Sequence, residues 1–226
     1  MHYLSNKVKR KLLFNLMNHT SSSIARKLLE IKAIQLSPEQ PFTWASGILS
    51  PIYCDNRLSL SYPEVRNLIK ESLAEAAMSF GEFDVVAGVA TAGIPHGALV
   101  ADALGKPFIY VRSKPKGHGM QNLIEGEIPD GKKVLVVEDL ISTGGSSAKA
   151  INALKENGAI VIGAIAIFTY GFDKAVKTFK EVDCPFVTLS NYDDLLEEAV
   201  KMNYISSDIL ETLQSWKKSP STWKGI

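Results

Sequence analysis

Two hydrophobic rhythms alternate along the chain. Mostly apolar runs over 84–89, 108–111, 160–168 and 186–189 read as short strands, and the unbroken aliphatic run 134–137 fits a strand covered on both faces of a parallel sheet. Between them, apolar residues return at the helical period. Ile24, Ala25, Leu28 and Leu29 make one amphipathic helix, and Val65, Leu68, Ile69, Leu73, Ala76, Ala77 and Phe80 make another behind Pro63. Further helices are expected over 96–104 ahead of Gly105, over 148–157 ahead of Gly158, and over 193–201 and 207–217. The alternation predicts an α/β fold: a central, mainly parallel sheet flanked by helices. Two stretches break the rhythm. Residues 42–53 are punctuated by Pro and Gly and read as a strand-and-turn hood, and 112–128 is polar and aperiodic, too long for a plain internal connection. With no repeat, low-complexity tract or composition shift, 23–226 is expected to be one domain with its hood at about 31–57, after an N-terminal extension over 1–22.

Composition narrows the function classes. The chain has 226 residues, 46% hydrophobic and 22% charged, enough to bury a sizeable core. A net charge of +1 offers no bulk attraction to nucleic acid or acidic membranes. No apolar stretch approaches the roughly 20 residues that span a bilayer. Cys54 and Cys184 stand far apart and outside any metal-ligand spacing, which suits reduced thiols in the cytoplasm. Near the start, Lys7, Lys9, Arg10 and Lys11 precede Leu12, Leu13, Phe14 and Leu16, but the apolar part is too short for a signal peptide. Residues 1–16 read as a disordered or amphipathic extension, or as an upstream start with Met17 as initiator.

The chemistry concentrates in V-L-V-V-E-D-L-I-S-T-G-G-S-S, residues 134–147. An aliphatic strand delivers Glu138 and Asp139 to the carboxyl end of the sheet, where open α/β folds bind ligands. Leu140, Ile141, Ser142, Thr143, Gly144, Gly145 and Ser146 then lead into a helix that Ser147 can cap. Small and hydroxylated residues at a helix N-terminus can turn N–H groups around a phosphate, while neighbouring carboxylates suit ribose hydroxyls and Mg²⁺. The bland alternative is an ordinary βα turn with a stray acidic pair. Two other motifs fail on context: Gly126-x4-Gly131-Lys132-Lys133 lacks the Ser/Thr of a P-loop and precedes a strand, and Asn18-His19-Thr20 matters only in a secreted chain.

Three more segments carry possible chemistry. Ala90-Thr91-Ala92-Gly93-Ile94-Pro95 is a small-residue turn whose N–H groups can approach a diphosphate closely, or simply a tight turn. Arg112, Lys114, Lys116 and His118 fall among Pro and Gly, which by itself describes either a solvated charge run or a mobile basic loop. Residues 42–55, F-T-W-A-S-G-I-L-S-P-I-Y-C-D, read on composition as an aromatic hairpin.

The strand, acidic pair and T-G-G-S loop resemble the phosphoribosyl-diphosphate (PRPP) signature of the type I phosphoribosyltransferases. The R-x-x-x-K-x-H-G loop and the F-T-x-x-S-G-x-x-S-P-x-Y hood resemble those of the orotate phosphoribosyltransferases, and the likeness covers roughly 24–216 in order. It implies the type I phosphoribosyltransferase fold with a small N-terminal hood and a mobile catalytic loop. It also implies transfer of ribose 5-phosphate from PRPP to N1 of orotate, in pyrimidine nucleotide synthesis. Thr91, Ala92 and Gly93 then fall on the pyrophosphate loop, and Arg112, Lys116 and His118 on the catalytic loop. Glu138 and Asp139 meet the ribose hydroxyls, Ser142 through Ser146 hold the 5'-phosphate with Ser142 also beside orotate, and Leu140 and Ile141 fall among the substrate-binding positions. Lys116, His118 and Asp139 are the implied catalytic residues. Mg²⁺ is the implied cofactor, held mainly by PRPP and water near Glu138 and Asp139 without a direct protein site. A homodimer sharing the loop across its interface is implied, with no nucleic-acid or membrane partner. There are departures: many members have Lys where Ser113 stands, some have Lys at Ala45, a basic residue at Leu49 or Arg near Tyr170. The alternatives are a PRPP-sensing regulator, for which only Lys7 to Lys11 offers a nucleic-acid surface, and a purine or uracil transferase, which the loop pattern disfavours.

Overall fold

The structure is a computed structural model that describes residues 20–44, 47–114, 123–127 and 129–225. A first helix, α1, covers 20–30 and already includes Ser21, whose hydroxyl is buried and bonds Asp194 and Ser190. Next come two small antiparallel pairs that form the hood. Strand β1 (Ile34–Leu36) pairs with β4 (Ile52–Cys54), and β2 (Phe42–Thr43) pairs with β3 (Leu49–Ser50). A 3-10 turn, Asn56–Ser61, leads to α2 (Pro63–Ala77).

The central sheet has six strands in the order β10-β9-β8-β5-β6-β7. These are β5 (Val85–Val89), β6 (Phe108–Val111), β7 (Ile124–Glu125), β8 (Lys133–Ile141), β9 (Ile160–Thr169) and β10 (Phe186–Asn191). All neighbours run parallel except β7, which pairs antiparallel with β6. The helices between and after them are α3 (Gly93–Leu104), α4 (Gly145–Glu156), α5 (Asp173–Glu181), α6 (Tyr192–Lys201) and α7 (Leu210–Lys218).

Side-chain alternation sorts the core into two layers. Leu135 and Val137 of β8 face a core completed by α1, α2, α3, α6 and α7. Val134 and Val136 face the other, completed by α4 and α5. Gly97 lets α3 press against the sheet, since a Cβ there would lie 2.8 Å from the Phe108 ring and 3.2 Å from the Gly88 Cα. The hood is fastened from the far end of the chain: Trp216 of α7 is fully buried, stands edge-on to Trp44, and donates its indole N–H to the Leu49 carbonyl at 3.2 Å.

Several boundaries differ from the sequence reading for local reasons. Strand β8 continues through Ile141, paired with β9, so Glu138 and Asp139 lie within it instead of just past its end. Helix α3 starts at Gly93, three residues before His96. Helix α4 starts at Gly145, with Gly144 at its N-cap in the left-handed region, φ +80°. Ser147 therefore does not cap it; its hydroxyl points inward to Glu138. Helix α6 starts at Tyr192, one residue before the expected position, and Asn191 caps it by accepting from the Asp193 and Asp194 amides. Helix α5 and strand β7 escaped the reading, because α5 buries only Ala175 and Phe179 and β7 is two residues long.

Candidate active site

The carboxyl ends of β5, β6, β8 and β9 supply the site. Strand β5 ends in the turn Ala90–Thr91–Ala92, whose Ala90–Thr91 peptide bond is cis. Gly93 then allows α3 to begin directly against β8: a Cβ there would sit 2.5 Å from the Val137 carbonyl oxygen and 3.4 Å from Glu138 Oε1. Only a hydrogen fits that gap, which brings the turn beside the acidic pair. Gly144, buried against Phe179, turns the backbone from β8 into α4 and leaves Thr143, Gly145 and Ser146 exposed. The first N–H groups of a helix have no partner within it, so this exposed rim can receive an anion.

The two carboxylates differ in their surroundings. Glu138 is 4% exposed; its Oε1 accepts from the Asp139 amide at 3.0 Å and its Oε2 from the Ser147 hydroxyl at 3.3 Å. Burial, reinforced by the neighbouring Asp139 charge, holds the Glu138 carboxyl well above the usual carboxylate range. Asp139 is less enclosed and is raised mainly by burial. The hood reaches it from one side: fully buried Asn56 donates its amide to the Asp139 carbonyl at 2.9 Å. Next to Asn56, Arg57 grips Asp55 with two hydrogen bonds of 2.6 and 2.8 Å, and that grip keeps Asp55 below its ordinary value. His96 is sealed under the site at 1% exposure, and burial drives its pKa down to about 4. Its Nε2 has no hydrogen-bond partner among the described residues.

Three cavities follow the strand order. The central one, about 310 Å³, is lined by Arg57, Thr91, Ala92, Glu138, Asp139 and Leu140, with Ser146 at its edge. A second, about 500 Å³, shares Ala90 and Ser146 with it and extends over β6 and α4 past Arg112 and Lys149. There Arg112 pairs with Glu125 at 3.2 Å. The third, about 640 Å³, lies on the opposite side and runs from Ser142 and Thr143 past Trp44 and Gly171 to α7. Of the residues singled out from the sequence, those among the described residues stand on the segments around the end of β8 and in the second cavity beside it. Ile141 is fully buried in the core, and the site can use only its backbone. Lys116 and His118 lie outside the described residues, as do Ala45, Ser46 and 1–19.

The sequence reading passed over Asn56, Arg57, His96 and the inward role of Ser147. Arg57 had a usable signal, a cation two residues after Asp55 in a segment already marked; the others depend on contacts across the fold.

Residues 58–203 match the model of the phosphoribosyl transferase domain. An orotate phosphoribosyltransferase of Cytophaga hutchinsonii is 56% identical over 209 residues, spanning 92% of this chain and 100% of that protein. The chain belongs to the orotate phosphoribosyltransferases. The family's Listeria innocua member is 59% identical over 201 residues, 88% of this chain and 96% of its own. The crystal structure of the Aeropyrum pernix orotate phosphoribosyltransferase superposes with a TM-score of 0.71 at 31% identity, covering 81% of this chain and 99% of that one. Both the α/β architecture and the expected enzyme class agree with this membership. Neither the regulator nor the purine alternative gains support from these relatives.

Proposed function

We propose that the chain transfers the ribose 5-phosphate of PRPP to N1 of orotate, giving orotidine 5'-monophosphate and pyrophosphate in pyrimidine nucleotide synthesis. The observation that carries this reading is the convergence of the Thr91–Ala92 turn, the Glu138–Asp139 pair and Ser146 on one cavity, since ribose, diphosphate and 5'-phosphate each find a chemically suited wall there. Ser142, Thr143, Gly144, Gly145 and Ser146 hold the 5'-phosphate at the α4 N-terminus. Asp139, oriented by Asn56 and with Glu138 behind it, accepts the ribose hydroxyls. Thr91, Ala92 and Gly93 present backbone N–H groups to the diphosphate. Arg112 starts the basic loop, and Lys116 and His118 meet charge growing on the leaving pyrophosphate. Orotate N1 can react as an anion, so leaving-group neutralisation is the main demand.

Mg²⁺ fits the donor set as a substrate-borne ion. The acidic pair supplies hard carboxylate oxygens, while no group of three or more His, Cys, Asp or Glu able to hold a metal occurs among the described residues. Glu138 and Asp139 would face it together with PRPP oxygens and water, and when bound it neutralises diphosphate charge.

We further propose a homodimer in which the loop bearing Lys116 covers the partner's site, a cytoplasmic location, and one catalytic domain over 23–226. Among the described residues, no helix is long and apolar enough to cross a membrane. The test is orotate consumption by the purified chain, with and without PRPP and Mg²⁺, against uracil, hypoxanthine and guanine. A higher specificity constant for any of the other bases rejects the substrate. For the shared loop, Lys116→Ala and Asp139→Asn are each expected to be poor enzymes. Refolded together, they should recover roughly a quarter of wild-type activity through mixed dimers with one intact site.

A further inference from the structure

Displacement of pyrophosphate at the anomeric carbon places the arriving base and the leaving group on opposite faces of the ribose. In the sheet, the Thr91–Ala92 turn and Arg112 lie on the β5–β6 side of the acidic pair. The opposite side holds the 640 Å³ cavity between Ser142–Thr143, the hood and α7. We infer that this cavity takes the planar pyrimidine acid and that Lys217, from the C-terminal helix, receives its carboxylate. The inference rests on the proposed reaction and adds to it the residue that selects orotate over an uncharged pyrimidine.

The other described cations near the site are committed or less well held. Arg57 forks onto Asp55 in the central cavity, and Arg112 pairs with Glu125 on the leaving-group side. Lys174 and Lys218 border the third cavity but are exposed. Lys217 is different: its side chain is 24% exposed, and its Nζ is anchored 2.5 Å from Asp193 Oδ2. Gly171 makes room for it, because a Cβ at that glycine would stand 3.1 Å from Nζ and 3.2 Å from Cε. An ammonium has three donors, and Asp193, which is 58% exposed, takes one. A partner that open to water binds weakly and leaves Lys217 able to engage a second carboxylate. Trp44 adds a flat wall to the same cavity, held by its N–H bond to the Ile52 carbonyl at 3.2 Å and by edge-on contact with Trp216.

Orotidine 5'-monophosphate and uridine 5'-monophosphate differ only in the ring carboxylate, so their binding ratio isolates the pair. Both should be titrated, by calorimetry or as inhibitors, against wild type, Lys217→Met, Lys217→Gln and Lys217→Arg. Wild type is expected to prefer the carboxylated nucleotide by roughly ten- to hundredfold, the range of one charge-assisted hydrogen bond. In the Met and Gln variants that preference should collapse, through loss for the carboxylated nucleotide alone. Arg should keep part of it, and the KM for PRPP should hold in all three. Equal weakening of both nucleotides, or an unchanged ratio in whichever neutral variant folds, overturns the role of Lys217. Failure of the wild type to consume orotate with PRPP is a different result, which rejects the proposed function itself.

Discussion

Gly145→Ala separates what the protein needs at the start of α4 from what its ligand needs. Gly145 is the first residue of that helix, and a Cβ there would meet nothing closer than the Thr143 hydroxyl at 3.9 Å. Its φ lies outside the left-handed region, so alanine meets no backbone strain. On folding grounds alone the substitution should help, since it removes unfolded-chain entropy worth about 0.5–1 kcal/mol. For a chain of this size that raises Tm by about 1–4 °C. The same methyl occupies the open rim where the 5'-phosphate is proposed to sit. Loss of one charge-assisted N–H bond to phosphate costs about 1.5–3 kcal/mol, or roughly ten- to hundredfold in the KM for PRPP. Thermal unfolding without ligand and initial rates against PRPP measure the two effects separately. A raised Tm with an unchanged KM would show that phosphate does not approach Gly145. A Tm lowered by several degrees would show that the glycine serves the fold, and the reasoning from open space would be wrong.

Three other substitutions probe the walls of the site. Gly93→Ala drives a Cβ to 2.5 Å from the Val137 carbonyl oxygen; overpacking of that kind costs about 1–3 kcal/mol, so Tm should fall by about 2–12 °C and the KM for PRPP should rise. An unchanged Tm would mean that α3 can retreat freely. Asn56→Ala leaves the Asp139 carbonyl without its hood donor, at a cost of about 1–3 kcal/mol, and should weaken PRPP binding with little change in the response to pH. Thermal unfolding and PRPP titration would detect it, and wild-type values in both would separate the hood from the acidic pair. Glu138→Gln should stabilise the ligand-free protein at alkaline pH while impairing turnover. The Glu138 carboxyl is raised on folding, so the native state holds that proton more tightly, and stability falls as pH climbs from the ordinary carboxylate value through the folded one. The Tm gap between variant and wild type should therefore widen from pH 4 to pH 8; a gap that stays constant would place the effect elsewhere.

What could be read from the sequence was whatever short-range spacing encodes. The Val134–Val137 run, the E-D pair and the Gly/Ser/Thr turn are consecutive residues, and their chemistry follows from adjacency. Helices with broad apolar stripes, such as α2, were equally plain, whereas α5, with two buried side chains, left too narrow a stripe to find. Composition also could not say whether the Ser147 hydroxyl caps α4 or turns toward Glu138, because both uses suit a serine at that spacing. The remaining misses span long separations. Asn56 meets Asp139 from 83 residues away, and Trp216 meets Leu49 from 167. Such pairs form only when the sheet order is known, and no local pattern announces them.

The two adjacent carboxylates are best understood as unequal. Glu138 is closed in between Ser147 and the Asp139 amide, and its enclosure disfavours charge beside a second carboxylate. Asp139 shares the central cavity with Arg57, whose positive charge favours its ionised form, although burial outweighs this and leaves it raised overall. Two anions side by side in one cleft repel, and the pair relieves that repulsion by giving the proton to the member with less water. Asp139 is then the anion offered to ribose, and Glu138 acts behind it through the Asp139 amide. On this account the Mg²⁺ that accompanies PRPP would draw the proton off Glu138, whereas the PRPP anion alone would hold it there, so binding of PRPP with Mg²⁺ should release more protons to the buffer than binding of PRPP without it. Calorimetry in buffers of different ionisation enthalpy measures that release directly. Glu138→Gln should abolish it, and an equal release from wild type and variant would assign the proton to another group.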